Sequence, residues 1–308
     1  MSSKKVVSLL PAATEIVCAL GLENLLVGRS HDCDYPESVK ALPVCSSPRF
    51  DTSVSGEETH LQVKELVSTA GSLYKIDEEK ILSLAPDLIL IQDQCAVCAV
   101  GPGDLKGLMP RLAPAGTEAY SIHPSSLEEV FECVSGIAGK LGVADRGEEL
   151  VDELRERTEI IRHKLQFVED RPTVACIEWL SPLMTAGNWT PGLISLAGGT
   201  PVLSKAGEES GTIEFDELKG ADPDILVISV CGYTIERTVR EIGALFNLAG
   251  WTELKAVQNN QVYLADGNRY FNRPSPALVD TVEILAEIIQ PKYFVFGMEG
   301  TAWVKFGV

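Results

Sequence analysis

Few features that announce a function on their own are present in this chain. Aromatic residues are 6% of its 308 residues, and there are four histidines. No window approaches the roughly 18 consecutive apolar residues of a membrane span, so no membrane-spanning helix is expected. The opening stretch MSSKKVVSLLPAATEIV has two lysines but no long apolar segment, and it leads into a strand and a helix rather than a cleavage signal. A cytoplasmic location is therefore expected, with the eight cysteines (18, 33, 45, 95, 98, 133, 176 and 231) held as thiols. Basic charge is also scarce, with 26 Lys and Arg against 44 Asp and Glu and a net charge of −18. Such a field repels a phosphate backbone or an anionic bilayer, so nucleic acid is not an expected partner. No H-E-x-x-H or Ser-His-Asp signature supports a particular reaction, and GPGDLKG lacks the spacing and the Lys-Ser/Thr pair of a phosphate loop.

What is there is an ordinary globular composition, 45% hydrophobic and 23% charged, in a chain too long for one core. The first half alternates strand and helix signals. KVVSLL, NLLVGRS, PDLILIQ and AYSIHP read as strands. PAATEIVCALGL, residues 57 to 70, DEEKILSLA and SSLEEVFECVSGIAGKLG read as helices. The continuous apolar run of PDLILIQ marks a parallel strand covered on both faces, and the alternation implies right-handed crossovers. Residues 144 to 168 then form one amphipathic helix, with Leu150, Leu154, Ile161, Leu165 and Val168 on a stripe. At 1.5 Å per residue it spans roughly 35 Å, enough to cross a domain. A second alternating half begins at Arg171, with strands PTVACIEWL, PLMTAG, DILVISV and QVYLA. Its helices are TPGLISLAGG, FDELKGA, TIERTVREIGALF and SPALVDTVEILAEII. The expected organisation is an N-terminal α/β lobe over 1–143, a bridging helix over 144–168 and a C-terminal α/β lobe over 169–308.

In open parallel sheets, ligands sit beyond the carboxyl ends of the strands. That rule selects Leu10 to Thr14, Ser30 to Tyr35, Gln92 to Cys98 and His123 in the first half. In the second it selects Glu178 to Leu180, Gly187 to Trp189, Cys231 to Tyr233 and Asp266 to Arg273. His31, Cys33, Cys95 and Cys98 make a candidate Cys₃His metal set. Strand order works against it: with the first strand between the second and third, the two loops start roughly 10 Å apart. Pocket-lining thiols and a redox pair are the other readings of Cys95 and Cys98. Asp34 reads as the cap of the turn before Pro36. On the second side Trp179, Trp189, Tyr233 and Tyr270 are a candidate platform for a planar ring, with Asn188, Asn272 and Arg273 as polar contacts. Phe271 is expected to plug the core, and Glu178 to be solvated.

VVSLLPAATEIVCALGLENLLVGRSHDCDYPESVKALPV, SPLMTAGNWTPGLISLAGGTPVL and RYFNRPSPALVDTVEILAEI resemble, in that order, the vitamin B12-binding components of bacterial ABC importers. The resemblance covers nearly the whole chain. It implies two Rossmann-like lobes with parallel sheets on one backbone helix, the class III periplasmic-binding-protein arrangement, with a ligand held between the lobes. It also implies docking on a membrane permease through surface acids, which has no expected purpose for a chain without an export signal. Where the B12 binders carry aromatics on the first lobe, this chain has Asp32 and Gln92, while Tyr270 keeps the second-lobe aromatic. The expected function is thus a small-molecule binding protein for a corrinoid or other metal chelate. Asp32, Cys33, Gln92, Asp93 and Cys95 would face Glu178, Trp179, Asn188, Trp189, Tyr233, Tyr270, Asn272 and Arg273. An enzyme or redox protein built on the Cys/His cluster is the alternative, and an interaction scaffold a third. Residues 51 to 75, longer than the connection in the B12 binders, are expected to add a surface helix or a lid. The aromatic tail YFVFGMEGTAWVKFGV is expected to pack along a lobe or to mediate a dimer.

Overall fold

The computed structural model describes residues 4–70, 72–93 and 100–307. The chain divides into two compact units, the first holding most of residues 1–151 and the second residues 152–308 with the short stretches 55–57 and 125–128.

The first unit is built on β1 (Val6–Ser8), β2 (Leu26–Arg29), β5 (Leu88–Gln92) and β6 (Glu118–Ile122), all parallel, in the order β2-β1-β5-β6. The first strand does lie between the second and the PDLILIQ strand. Every residue of β5 is buried, as its unbroken apolar run requires of a strand covered on both faces. Helices α1 (Pro11–Ala19), α3 (Glu78–Leu84), α4 (Met109–Leu112) and α5 (Leu127–Leu141) make the connections. Pro11 opens α1, where its missing N–H costs nothing, and the Asp77 carboxylate caps α3 by accepting the Lys80 N–H at 3.1 Å. The sequence did not signal the short helix α4, nor β3 (Ser46–Pro48) and β4 (Tyr74–Ile76), an antiparallel pair. They flank α2 (Gly56–Ala70), the surface helix expected in that stretch.

Helix α6 (Ala144–Lys164) runs through the division between the units. Its buried stripe is Val151, Leu154, Thr158 and Ile161, and Leu165 in the following turn extends it at the same three- and four-residue spacing. In the second unit Arg157 holds α6 to α12 (Ala277–Ile289) with a forked pair to Glu283 (2.9 and 2.7 Å) and a bond to Asp280 (2.6 Å).

The second unit has β7 (Thr173–Leu180), β11 (Ile225–Ile228) and β12 (Val262–Ala265) parallel at its centre, with β9 (Thr200–Pro201) parallel to β7. Its edges run the other way. β8 (Leu183–Thr185) folds back on β7, β10 (Gly211–Thr212) pairs with β8, and β13 (Trp303–Lys305) lies antiparallel on β12. Helices α7 (Thr190–Leu196), α8 (Phe215–Ala221), α9 (Ile235–Glu241), α10 (Gly243–Phe246) and α11 (Lys255–Gln258) complete the layers. The single helix expected over TIERTVREIGALF is broken in two at Ile242–Gly243.

The tail packs on this unit through one carboxylate. Buried Glu287 of α12 accepts the backbone N–H of Phe296 (2.7 Å), Gly297 (2.8 Å) and Met298 (3.2 Å) and the indole N–H of Trp303 (2.9 Å). Replacing it with Ala leaves those donors without their acceptor, so Glu287→Ala is expected to cost about 2–4 kcal/mol, read as a lowered urea midpoint. An unchanged midpoint would contradict this role.

At the other end of the sheet Asp224 accepts the backbone N–H (2.8 Å) and hydroxyl (2.7 Å) of Thr173 and pairs with Lys255. Lys255 and these donors hold its carboxyl down at about 2. A value depressed on folding stabilises fully above the ordinary carboxylate range near ~3.9 and is lost as pH falls through the folded value. Stability should therefore fall between pH ~4 and about 2, and Asp224→Asn should flatten that part of the pH profile. Parallel profiles would count against it.

Candidate functional site

In the first unit the parallel order lines up, along one sheet edge, the residues after β2, β1, β5 and β6. The segment after β2 is the most constrained. Arg29 donates from Nη1 to the carbonyls of Ser30 (3.0 Å), His31 (3.4 Å) and Cys33 (3.0 Å), and from Nη2 to that of Lys40 (3.2 Å). On this staple, His31 points its Nδ1 at the Ser46 hydroxyl (2.9 Å) and its Nε2 at the Asp32 carboxylate (3.1 Å). The His31 backbone N–H also donates to Ser46 Oγ at 3.3 Å, and the imidazole leans on Tyr74 with ring centroids 5.4 Å apart. Asp32 is more than half exposed, whereas the His31 side chain is 18% exposed.

Cys33 behaves differently from the expected metal ligand. It is 0% exposed, and its Sγ sits 3.0 Å from Thr14 Oγ1 and 3.1 Å from Ser30 Oγ. Burial raises its thiol. A sealed, protonated thiol among hydroxyls packs as a small core residue and does not share a site with His31. Among the described residues no group of three or more His, Cys, Asp and Glu could hold a metal ion. Cys95 and Cys98 lie outside the described residues. Gln92 is buried at the end of β5, its N–H bonded to Val100 O (3.2 Å). Asp93 beyond it makes an exposed pair with His123 Nδ1 (3.1 Å), and pairs of that kind are weak.

In the second unit the rim is rearranged relative to expectation. Because β8 runs antiparallel to β7, Asn188 and Trp189 leave the sheet near Cys176, toward the amino end of β7. Trp189 is 8% exposed, and its indole N–H donates to Phe271 O at 2.8 Å. Tyr233 is 3% exposed; burial pushes its phenol up to about 12, and its hydroxyl stands 3.2 Å from Glu241 and 3.1 Å from Arg237. The Arg237 guanidinium covers the Tyr233 ring at 3.8 Å from its centroid. Neither ring is a free platform. Trp179 and Tyr270 are the partly exposed aromatics. Trp179 rests against Tyr233 at 5.7 Å, with its indole N–H on Ser181 O (3.0 Å). Glu178 beside it is partly exposed. Phe271 is 1% exposed and fills the core as expected.

Asn272 and Arg273, expected to contact a ligand, hold the turn after β12. Asn272 Nδ2 donates to Gly267 O (2.9 Å) and Ser229 O (3.2 Å), and buried Arg273 donates to Asn268 Oδ1 (2.8 Å). The turn, Gly267–Phe271, is a π-helix capped by Asp266, which accepts the Arg269 N–H at 2.8 Å. Burial raises the Asp266 carboxyl. Gly267 packs so close to β11's exit that a Cβ would stand 2.1 Å from Val230 O.

The sequence reading missed Ser46, Tyr74 and Arg29. A Ser on a three-residue strand carries no periodic signal; only its pairing with β4 brings it under His31.

A profile of the periplasmic binding proteins matches residues 6–268. The chain belongs to that family. A vitamin B12-binding protein of Vibrio cholerae serotype O1 is 25% identical over 285 residues, covering 91% of this chain and 87% of its own length. A periplasmic heme-binding protein from Pseudomonas aeruginosa aligns over 94% of both chains with a TM-score of 0.71 at 21% identity. The periplasmic vitamin B12-binding protein of Vibrio cholerae aligns with a TM-score of 0.68 at 22% identity, covering 94% of this chain and 97% of its own. At those identities the structures establish the two-lobe α/β fold.

The close approach at Gly267 yields a direct test. Gly267→Ala forces Val230 or the π-turn to move and should destabilise the chain by about 2 kcal/mol, read from denaturant midpoints. A loss below about 0.5 kcal/mol would show that the turn is not pinned there.

Proposed function

We propose that this chain is a receptor for a metal-bearing small molecule of the corrinoid or heme kind. Its family binds small ligands, and the relatives that it matches are named for vitamin B12 and heme. The observation that carries the reading is Trp179 at the carboxyl end of β7. Its ring is propped by Tyr233 and tethered by Ser181, and it stays partly exposed. A large ring fixed on both sides offers an apolar face at small entropic cost, which suits a flat macrocycle. Tyr270, also partly exposed, adds a second such face on the π-turn. The four-aromatic platform is thus replaced by a smaller one, Trp179 and Tyr270 of the second unit.

A thermal-shift panel of cyanocobalamin, hemin and ferric siderophores tests this. One of them should raise the melting temperature; at 100 times its dissociation constant the stabilisation is about 2.7 kcal/mol. Trp179→Ala should weaken that ligand by about tenfold, the loss of one stacked ring. A panel without any shift would overturn the reading.

A further inference from the structure

We propose that an exposed apolar patch on the second unit, formed by the end of α6 and the tail, is the interface through which two copies of this chain pair. The pairing does not depend on which ligand the chain takes. Ten large apolar side chains are exposed among the described residues, and five of them fall here: Ile160, Phe167, Tyr293, Val295 and Phe296. Phe167 and Val295 are 83% and 85% exposed. The two segments meet around Gln290. Its side-chain amide donates to Asp170 O (2.7 Å), and its carbonyl accepts the N–H of Tyr293 (2.9 Å) and of Phe294 (3.2 Å). Ile160, Lys164 and Phe167 follow at four- and three-residue steps along one face of α6 and the turn after it. The Lys164 ammonium lies 5.3 Å from the centre of the Phe294 ring, which joins that face to the tail.

The patch is rigid. Phe294 is buried and stacks on Phe296 at 5.8 Å, and Glu287 holds the backbone from Phe296 to Met298. Side chains displayed on a fixed backbone lose little freedom when a partner covers them. With aromatic side chains of roughly 150–250 Å² each, the five residues expose on the order of 500 Å², the upper end of what a monomer leaves uncovered. The charged ring around them brings this face toward the roughly 800 Å² that each partner gives to a standard interface.

Charge selects the occupant. Around the apolar centre stand Lys164, Arg171 and Lys292 and, of opposite sign, Glu169 and Asp170, all exposed. None of these five makes an ion pair among the described residues. In a two-fold contact residue i meets j and j meets i, so the cations of one copy can be set against the anions of the other. An anionic bilayer, by contrast, is repelled by Glu169 and Asp170 and by the net charge of −18. Asp170 stands just ahead of β7, and Trp179 lies near the far end of that strand, roughly 20 Å on, so pairing here leaves Trp179 uncovered.

Sedimentation velocity of the reduced full chain over a concentration series tests this. The chain should pass from monomer to dimer with a dissociation constant in the micromolar range, and no larger species should form, because a two-fold contact closes on itself. Phe167→Asp and Val295→Asp should each weaken the dimer by about tenfold or more. Val239→Asp, at an exposed apolar residue of α9 outside the patch, should leave it unchanged. Arg171→Glu with Lys292→Glu should dissociate the dimer, and adding Glu169→Lys and Asp170→Lys to that variant should restore it. Far-ultraviolet circular dichroism checks that each variant is folded. A chain that stays monomeric at every concentration would overturn the proposal. So would a dimer indifferent to Phe167→Asp and Val295→Asp, or charge reversal without recovery. Flotation with vesicles of phosphatidylcholine and phosphatidylglycerol, lost in Phe167→Asp, would make the patch a bilayer contact and overturn it as well.

Discussion

One guanidinium organises the chemistry of the first unit. Arg29, the last residue of β2, gathers the carbonyls of Ser30, His31, Cys33 and Lys40 onto its two terminal nitrogens. A loop of that length would otherwise hold its carbonyls in water and sample many conformations. Charge-assisted bonds to several of them fix the backbone, and the side chains follow. Cys33 turns inward to Thr14 and Ser30, and His31 turns to Ser46. The residue types in HDCDYP thus acquire separate fates from one anchor beneath them.

The second unit solves the same problem with backbone contact. Gly267 lets the π-turn touch the exit of β11, and Asn272 ties the two with bonds to Ser229 and Gly267. Trp189 reaches over to Phe271 O and closes the apolar side of the arrangement. In both units strand ends are made rigid by side chains that do not themselves face outward. A receptor gains from this: a rim fixed before binding loses little conformational freedom when a ligand arrives.

The fold was legible because its signals are local. The unbroken apolar run of PDLILIQ, the helical spacing of Leu154, Ile161 and Leu165 and Pro11 at a helix start each have one cheap structural solution, although Val151 and Thr158 take the buried places expected of Leu150 and Val168. Site residues were less legible. PLMTAG looks like any strand, and only the turn at Ser181–Pro182 makes it antiparallel, which carries Asn188 and Trp189 off the expected edge. Tyr233 and Arg237 stand four residues apart across a helix start, but sequence does not reveal that the cation lies on the ring. Asn272 and Arg273 resemble ligand contacts in composition; their acceptors are backbone and side-chain oxygens far away in the chain or in the same turn. Ser46 was invisible for the opposite reason, since a small hydroxyl becomes informative only when a histidine is placed above it.

The net charge of −18 fits this account as solubility and as repulsion of polyanions, and leaves ligand choice to the few groups at the strand ends. The central claim is that the chain holds a small metal-bearing molecule. Native mass spectrometry of the chain purified gently from its own host, with metal analysis of the same sample, addresses it most directly. The account predicts one organic adduct per chain carrying one metal atom, released together on denaturation. A chain that carries only its own polypeptide mass under ligand-replete growth, or that binds metal without an organic component, would contradict it.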